Sequence, residues 1–203
     1  MKKIKERIIS TKDEDYTHSL VTRQYIWWKQ LLNVQLPYRW NIRHLSPGFV
    51  LDIGCGIGRN LLHLDGNGVG IDHNEESVKR CESQGLTAFT VENFAKSAYN
   101  QPKRFDSILL AHVAEHMSGD TFVEILKQYL PLLKHNGSVI IITPQERGFK
   151  SDTTHVQFMD FKRVKEYLTL AGLNIAKQYS FPFPRPVGRI FKYNEFVTVA
   201  IKK

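Results

Sequence analysis

Residues 50–60 read VLDIGCGIGRN. An apolar run ends in an acid, and three glycines then alternate with other residues. This is the look of a buried strand whose carboxyl end turns sharply into a helix. It points to an α/β fold in which the glycines either hold a nucleotide-type cofactor against the backbone at the carboxyl end of a strand or make a tight turn with no ligand. Glycine carries no Cβ, so the backbone there can turn tightly and a ligand can touch it.

The rest of the chain agrees with that reading. FVLDI (49–53), GVGID (68–72), LTAFTV (86–91), FDSILLAHV (105–113) and SVIIIT (138–143) are short apolar runs typical of buried parallel strands. Helical stretches separate them at 59–64, 75–84 and 120–134, with another at 160–171. Asn74 is the expected N-cap of the second, and Gly85 and Gly172 are stop signals. Pro131 is expected to end the third early. LNIAKQYSF (173–181) and EFVTVAI (195–201) are two late strands. FPFPRPVGRIFKYN between them is too short and proline-rich for a crossover helix, so they are expected to pair antiparallel. Before the first strand, residues 1–15 are charged and expected to fray, and an aromatic amphipathic helix is expected to end near Asn33, with Pro37 breaking it. The expected organisation is a helical lid over 1–45 and one globular domain over 46–203.

The glycines do not match the dinucleotide fingerprint GxGxxG. Gly54 and Gly56 fit, but the third glycine comes one place early at Gly58, and Arg59 stands in its position. Asp52, two residues before Gly54, would repel a pyrophosphate and suits an ammonium instead. Asp72 follows twenty residues after Asp52, at the end of the second strand, where a carboxylate can accept hydrogen bonds from ribose hydroxyls. A ribose and an ammonium without a pyrophosphate describe S-adenosyl-L-methionine (SAM).

With DIGCGIG (52–58), GVGIDHN (68–74), VENF (91–94), FDSILLAHVAEHM (105–117), LKHNGSVIIITP (133–144) and HVQFMDF (155–161), the chain resembles the class I SAM-dependent methyltransferases from about Pro37 onward. The resemblance implies a doubly wound, mostly parallel seven-stranded sheet of order 3-2-1-4-5-7-6 with strand 7 antiparallel. It also implies that Asp52, Gly54, Cys55 and Gly56 line the methionine part of SAM, and that Asp72 holds the ribose with His73 beside the adenine. The Glu92-Asn93-Phe94 turn after strand 3 would belong to the cofactor pocket, with either Glu92 or Asn93 facing the adenine amino group. Ala111 and His112 would lie beside the sulfonium, and Arg39 would pair with the SAM carboxylate. S-adenosyl-L-homocysteine would be the product.

The acceptor is less constrained. A base helps when the acceptor is a hydroxyl, and His112, His116, Glu115 and His155 are the candidates. Each has an ordinary structural alternative as a cap or loop brace. Compact size and the late HVQFMDF stretch point to a small-molecule acceptor, with oxygen expected. The net charge of +8 keeps RNA or protein acceptors open, and a non-catalytic SAM-binding protein is the third reading. Nucleic-acid binding is not the expectation, because the sequence has no dense internal Lys/Arg block and no N/D-P-P-Y/F motif after strand 4. Cys55 and Cys81 lie at no metal-ligand spacing, so neither a zinc site nor a disulfide framework is expected. With no apolar leader and no long apolar run, a cytoplasmic protein without membrane contact is the expectation.

Overall fold

The computed structural model describes residues 35–202. The aromatic helix expected before Asn33, and with it most of the 1–45 lid, lies outside the described residues. Seven strands form one sheet in the order β3-β2-β1-β4-β5-β7-β6. They are β1 (Val50–Ile53), β2 (Gly68–Asp72), β3 (Ala88–Thr90), β4 (Phe105–Ala111), β5 (Leu133–Pro144), β6 (Asn174–Phe181) and β7 (Glu195–Ile201). The pairs β1–β2, β1–β4, β2–β3 and β4–β5 are parallel, and β7 runs antiparallel to both β5 and β6. The order and the single reversed strand are those expected from the resemblance. The strand order reverses between β1 and β4, which opens a crevice at their carboxyl ends.

Strand periodicity builds the two layers. Val50, Leu109, Ile140 and Ile142 point to one face and pack with Ile42 and Leu64. Their neighbours Leu51, Leu110, Val139 and Ile141 point to the other and pack with Phe122 and Leu126. The first layer is covered by α1 (Leu36–His44) and α2 (Arg59–His63). The second is covered by α4 (Val91–Ala95), α5 (Gly119–Tyr129) and α7 (Phe161–Leu170). Between them in sequence lie α3 (Glu75–Ser83) and a short α6 (Glu146–Phe149). Caps fix several starts: Asn74 accepts from Ser77 N, as expected, Ser118 from Thr121 N and Asp160 from Arg163 N.

Some boundaries differ from the sequence reading. Pro37 occupies the first turn of α1, where a missing N–H costs nothing; the helix expected to end before it lies outside the described residues. LTAFTV is a strand only over 88–90, because Thr90 caps Asn93 N and starts α4. β4 stops at Ala111, since His112 has φ of 60°. α5 ends at Tyr129, and Pro131 sits in a following 3₁₀ turn, Leu130–Leu132.

Candidate functional site

The glycine loop rests on the end of β2. Gly54, Gly56 and Gly58 have φ of 71°, 53° and 82°, a region that side chains disfavour. At Gly54 space is also short: an added Cβ would lie 2.5 Å from Val113. Gly54 N and Cys55 N both donate to Ile71 O, at 2.7 and 3.1 Å. Gly56 N donates to Asp72 Oδ2 at 2.8 Å, and Asn74 N to Asp72 Oδ1 at 2.9 Å. Asp72 is therefore held in place by two backbone amides, with a further lone pair on each oxygen. His73, half-exposed, has Nδ1 3.5 Å from Asp72 Oδ1.

Asp52 is 1% exposed, and its carboxylate oxygens are unpartnered apart from the neighbouring Asn60 side chain, which favours the charged form. Burial pushes its pKa up to about 7, against the pull of the Arg59 guanidinium. Arg59 opens α2 directly after the glycine loop. With Tyr38, Asn60, Ala111, His112 and Glu195 it lines a narrow cavity above the ends of β4 and β5. Nothing in the sequence beyond its place after Gly58 singles out Arg59, because the dinucleotide comparison treats that position only as a missing glycine. An open depression lined by Arg43, Gly48, Leu64 and Asp65 lies at the opposite, amino-terminal end of the strands and contains none of these groups.

Several expected residues sit differently. Arg39 pairs with Asp65 at 3.3 Å, so an internal carboxylate occupies the guanidinium expected to meet the SAM carboxylate. The Cys55 side chain is buried among Leu61, Val78 and Cys81, which leaves only its backbone for a ligand. Phe94 is buried against Phe89 and Tyr129 in the core rather than facing an adenine. Glu92 and Asn93 stand exposed on the first turn of α4.

His112 does not fit the role of a base. Nε2 lies 2.8 Å from Glu195 Oε1, and Nδ1 lies 3.3 Å from Glu115 Oε1. Desolvation lowers its pKa, but hydrogen bonding and charge from Glu115 and Glu195 outweigh it and raise the pKa to about 9. The imidazole is protonated at neutral pH and has no lone pair to take a proton.

The other two histidines meet beside the ends of β4 and β5. His116 belongs to the 3₁₀ turn Ala114–His116 that follows β4, and His155 lies on the loop between α6 and α7. That loop is fastened to the turn, where Val156 N donates to Glu115 O at 2.8 Å, and to β5, where Thr143 Oγ1 donates to Met159 O at 2.7 Å. The two rings are 4.8 Å apart at 64°. His155 Nδ1 donates to Phe149 O at 2.7 Å. Thr154 donates its hydroxyl to Asp152 Oδ1, so its Oγ1 accepts from His116 Nδ1, 3.2 Å away. Both rings thus carry the proton on Nδ1 and a free lone pair on Nε2. Burial lowers the pKa of His116.

A family model described as a methyltransferase domain matches residues 28–178. Among solved structures, the fold is similar to a SAM-dependent methyltransferase from Thermotoga maritima, described as a possible histamine N-methyltransferase. That match has 18% identity and a TM-score of 0.67, covering 93% of this chain and 99% of that one. A SAM-dependent methyltransferase from Archaeoglobus fulgidus matches at 20% identity and a TM-score of 0.61, over 81% and 93% of the two chains. The magnesium protoporphyrin IX methyltransferase of Synechocystis with bound S-adenosylhomocysteine matches at 15% and 0.60, over 83% and 85%. No curated protein matches the sequence.

Proposed function

The chain belongs to the methyltransferase-domain family, and from that premise we propose that it transfers a methyl group from SAM to a small-molecule acceptor at oxygen. The residues at the glycine loop fit the donor. The oxygens of buried Asp52, with only the Asn60 side chain beside them, suit its ammonium. Arg59 would meet its carboxylate and Asp72 its ribose hydroxyls. When bound, SAM supplies a methyl group already activated on a sulfonium.

The chain's own work is then alignment and proton handling. Holding donor and acceptor in line is worth roughly 7–11 kcal/mol. The observation that carries the oxygen reading is the His116–His155 pair, whose hydrogen bonds to Thr154 and Phe149 leave Nε2 of each ring free. His155 Nε2 would accept the hydrogen bond of an acceptor hydroxyl and take its proton as the methyl arrives. His112, protonated and clamped, would fix the end of β4 and add positive charge at the cavity wall. The free, buried Cys55 and Cys81 suit a reducing compartment, and we read the protein as cytoplasmic.

The experiment is a release assay for S-adenosylhomocysteine with a panel of hydroxylated, amine and thiol small molecules, and with RNA in parallel. Turnover on hydroxylated members is expected. Turnover confined to amines, or to RNA with salt-sensitive binding, would overturn the acceptor assignment; RNA is the competing class because of the +8 charge.

A further inference from the structure

Glu115 is fully buried, and its Oε2 has no partner. The His112 imidazole pairs with its other oxygen, Nδ1 lying 3.3 Å from Oε1, but that cation is shared with Glu195. A buried carboxylate left in this state is costly unless a positive group completes it.

We propose that Glu115, His116 and His155 bind a first-row divalent cation. One ligand atom from each of the three lies within 4.8 Å of the others. Atoms bound to one such ion at about 2.0–2.2 Å sit closer than that, so small side-chain rotations complete the shell. The imidazoles are prepared for it. Each spends Nδ1–H on an oxygen, His155 on Phe149 O and His116 on Thr154 Oγ1, which leaves Nε2 to ligate. Metal-binding histidines are oriented by this kind of outer hydrogen bond. The donor set, two imidazoles and one carboxylate, suits Zn²⁺, Fe²⁺, Co²⁺ or Mn²⁺, and three protein ligands leave positions open for an acceptor oxygen.

The expectation of no metal rested on cysteine spacing, and no cysteine takes part. The site is the acceptor cluster described above. Its chemical use rests on the oxygen reading: with the cation bound, an acceptor hydroxyl ligating it would release its proton to solvent rather than to His155; the binding itself does not depend on that reading.

The test is a Co²⁺ titration of the chelator-stripped full chain, followed by visible absorption. One equivalent with protein-specific ligand-field bands is expected. His155→Ala and Glu115→Gln should each weaken it by at least ~10–100-fold, while His135→Ala, on the β5 surface, should leave it unchanged. Should Glu115→Gln fail to fold, His155→Ala decides, since His155 lies on a loop and is only partly buried. Absence of such bands, or binding that survives His155→Ala unaltered, overturns the proposal. S-adenosylhomocysteine affinity in the same samples separates the two readings. Retained donor binding without Co²⁺ defeats only the cation site, and Co²⁺ binding without donor binding defeats only the donor assignment.

Discussion

His112 Nε2 lies 2.8 Å from Glu195 Oε1, tying the end of β4 to the start of β7 across the top of β5. Glu195 is buried, and Gln145 Nε2 also donates to its backbone oxygen at 2.9 Å. Glu195→Gln keeps the shape and removes the charge facing the imidazole. The expected cost is about 1–3 kcal/mol, the range for a charged hydrogen bond. For a chain of this size that lowers the melting temperature by roughly 3–10 °C. Scanning calorimetry of the variant against the parent measures it, and an unchanged midpoint would show that the pair contributes nothing to folding.

Asp72→Ala removes the carboxylate assigned to the ribose and also releases the amides of Gly56 and Asn74. Both effects act on donor binding, the first by lost hydrogen bonds and the second by loosening the glycine loop. Affinity for S-adenosylhomocysteine should fall about 100-fold or more. Titration calorimetry that finds the parent affinity would refute the ribose assignment.

Asp52 makes donor binding depend on pH. In the free protein its carboxyl titrates near pH 7 because burial disfavours the charge. A bound ammonium favours the carboxylate, so below about pH 7 binding must expel a proton. Affinity for S-adenosylhomocysteine should hold steady above that pH and fall towards tenfold per unit beneath it. Asp52→Asn should bind more weakly and lose this slope. Calorimetry from pH 5.5 to 8.5 in buffers of differing ionisation enthalpy reads both the affinity and the proton count; equal slopes in the two proteins would remove Asp52 from the site.

The strand order is legible in the sequence, and so is the seating of the glycine loop against the end of β2, because both depend on local pattern. Apolar runs ending at Gly54 and Asp72 must be buried strands with ligand-facing ends. Roles that depend on tertiary partners are not legible. His112 reads as a base until Glu115 and Glu195, one of them 83 residues away, are seen beside it. Arg39 reads as the partner of a carboxylate until Asp65 is seen paired with it, and the sequence gives no reason to consider Arg59 instead. Phe94 reads as an adenine neighbour because its turn is correctly placed, but one helical turn directs its ring into the core. The meeting of His116 and His155 depends on the Val156–Glu115 backbone bond, which no spacing in the sequence announces.

His155→Ala removes an acceptor-side lone pair while leaving the glycine loop, Asp52 and Asp72 intact. S-adenosylhomocysteine affinity should stay within about twofold, and turnover should drop by roughly 100- to 10,000-fold, the usual scale for a positioned proton acceptor. Steady-state assays with the acceptor found in the release panel, paired with donor calorimetry, check both halves. Undiminished turnover would confine His155 to bracing the loop through Phe149 O.

His63 supplies an acid-sensitive element of stability. It closes α2, nearly buried, and its pKa is pushed down to about 4, first by desolvation and then by Arg59, Arg39 and Arg43. In the unfolded chain an imidazole titrates near 6.5. Between those values the unfolded state binds more protons, so stability rises with pH. The contribution is complete above about pH 6.5 and is lost as pH falls towards 4. The slope from this group cannot exceed about 1.4 kcal/mol per pH unit. His63→Gln has no such proton to gain, so its urea unfolding free energy should fall less steeply than the parent's between pH 6.5 and 4.5, and the two curves should run parallel above pH 7. Parallel curves across the whole range would mean that His63 is protonated as readily in the folded chain as in the unfolded one, and that the three arginines and the burial do not act on it.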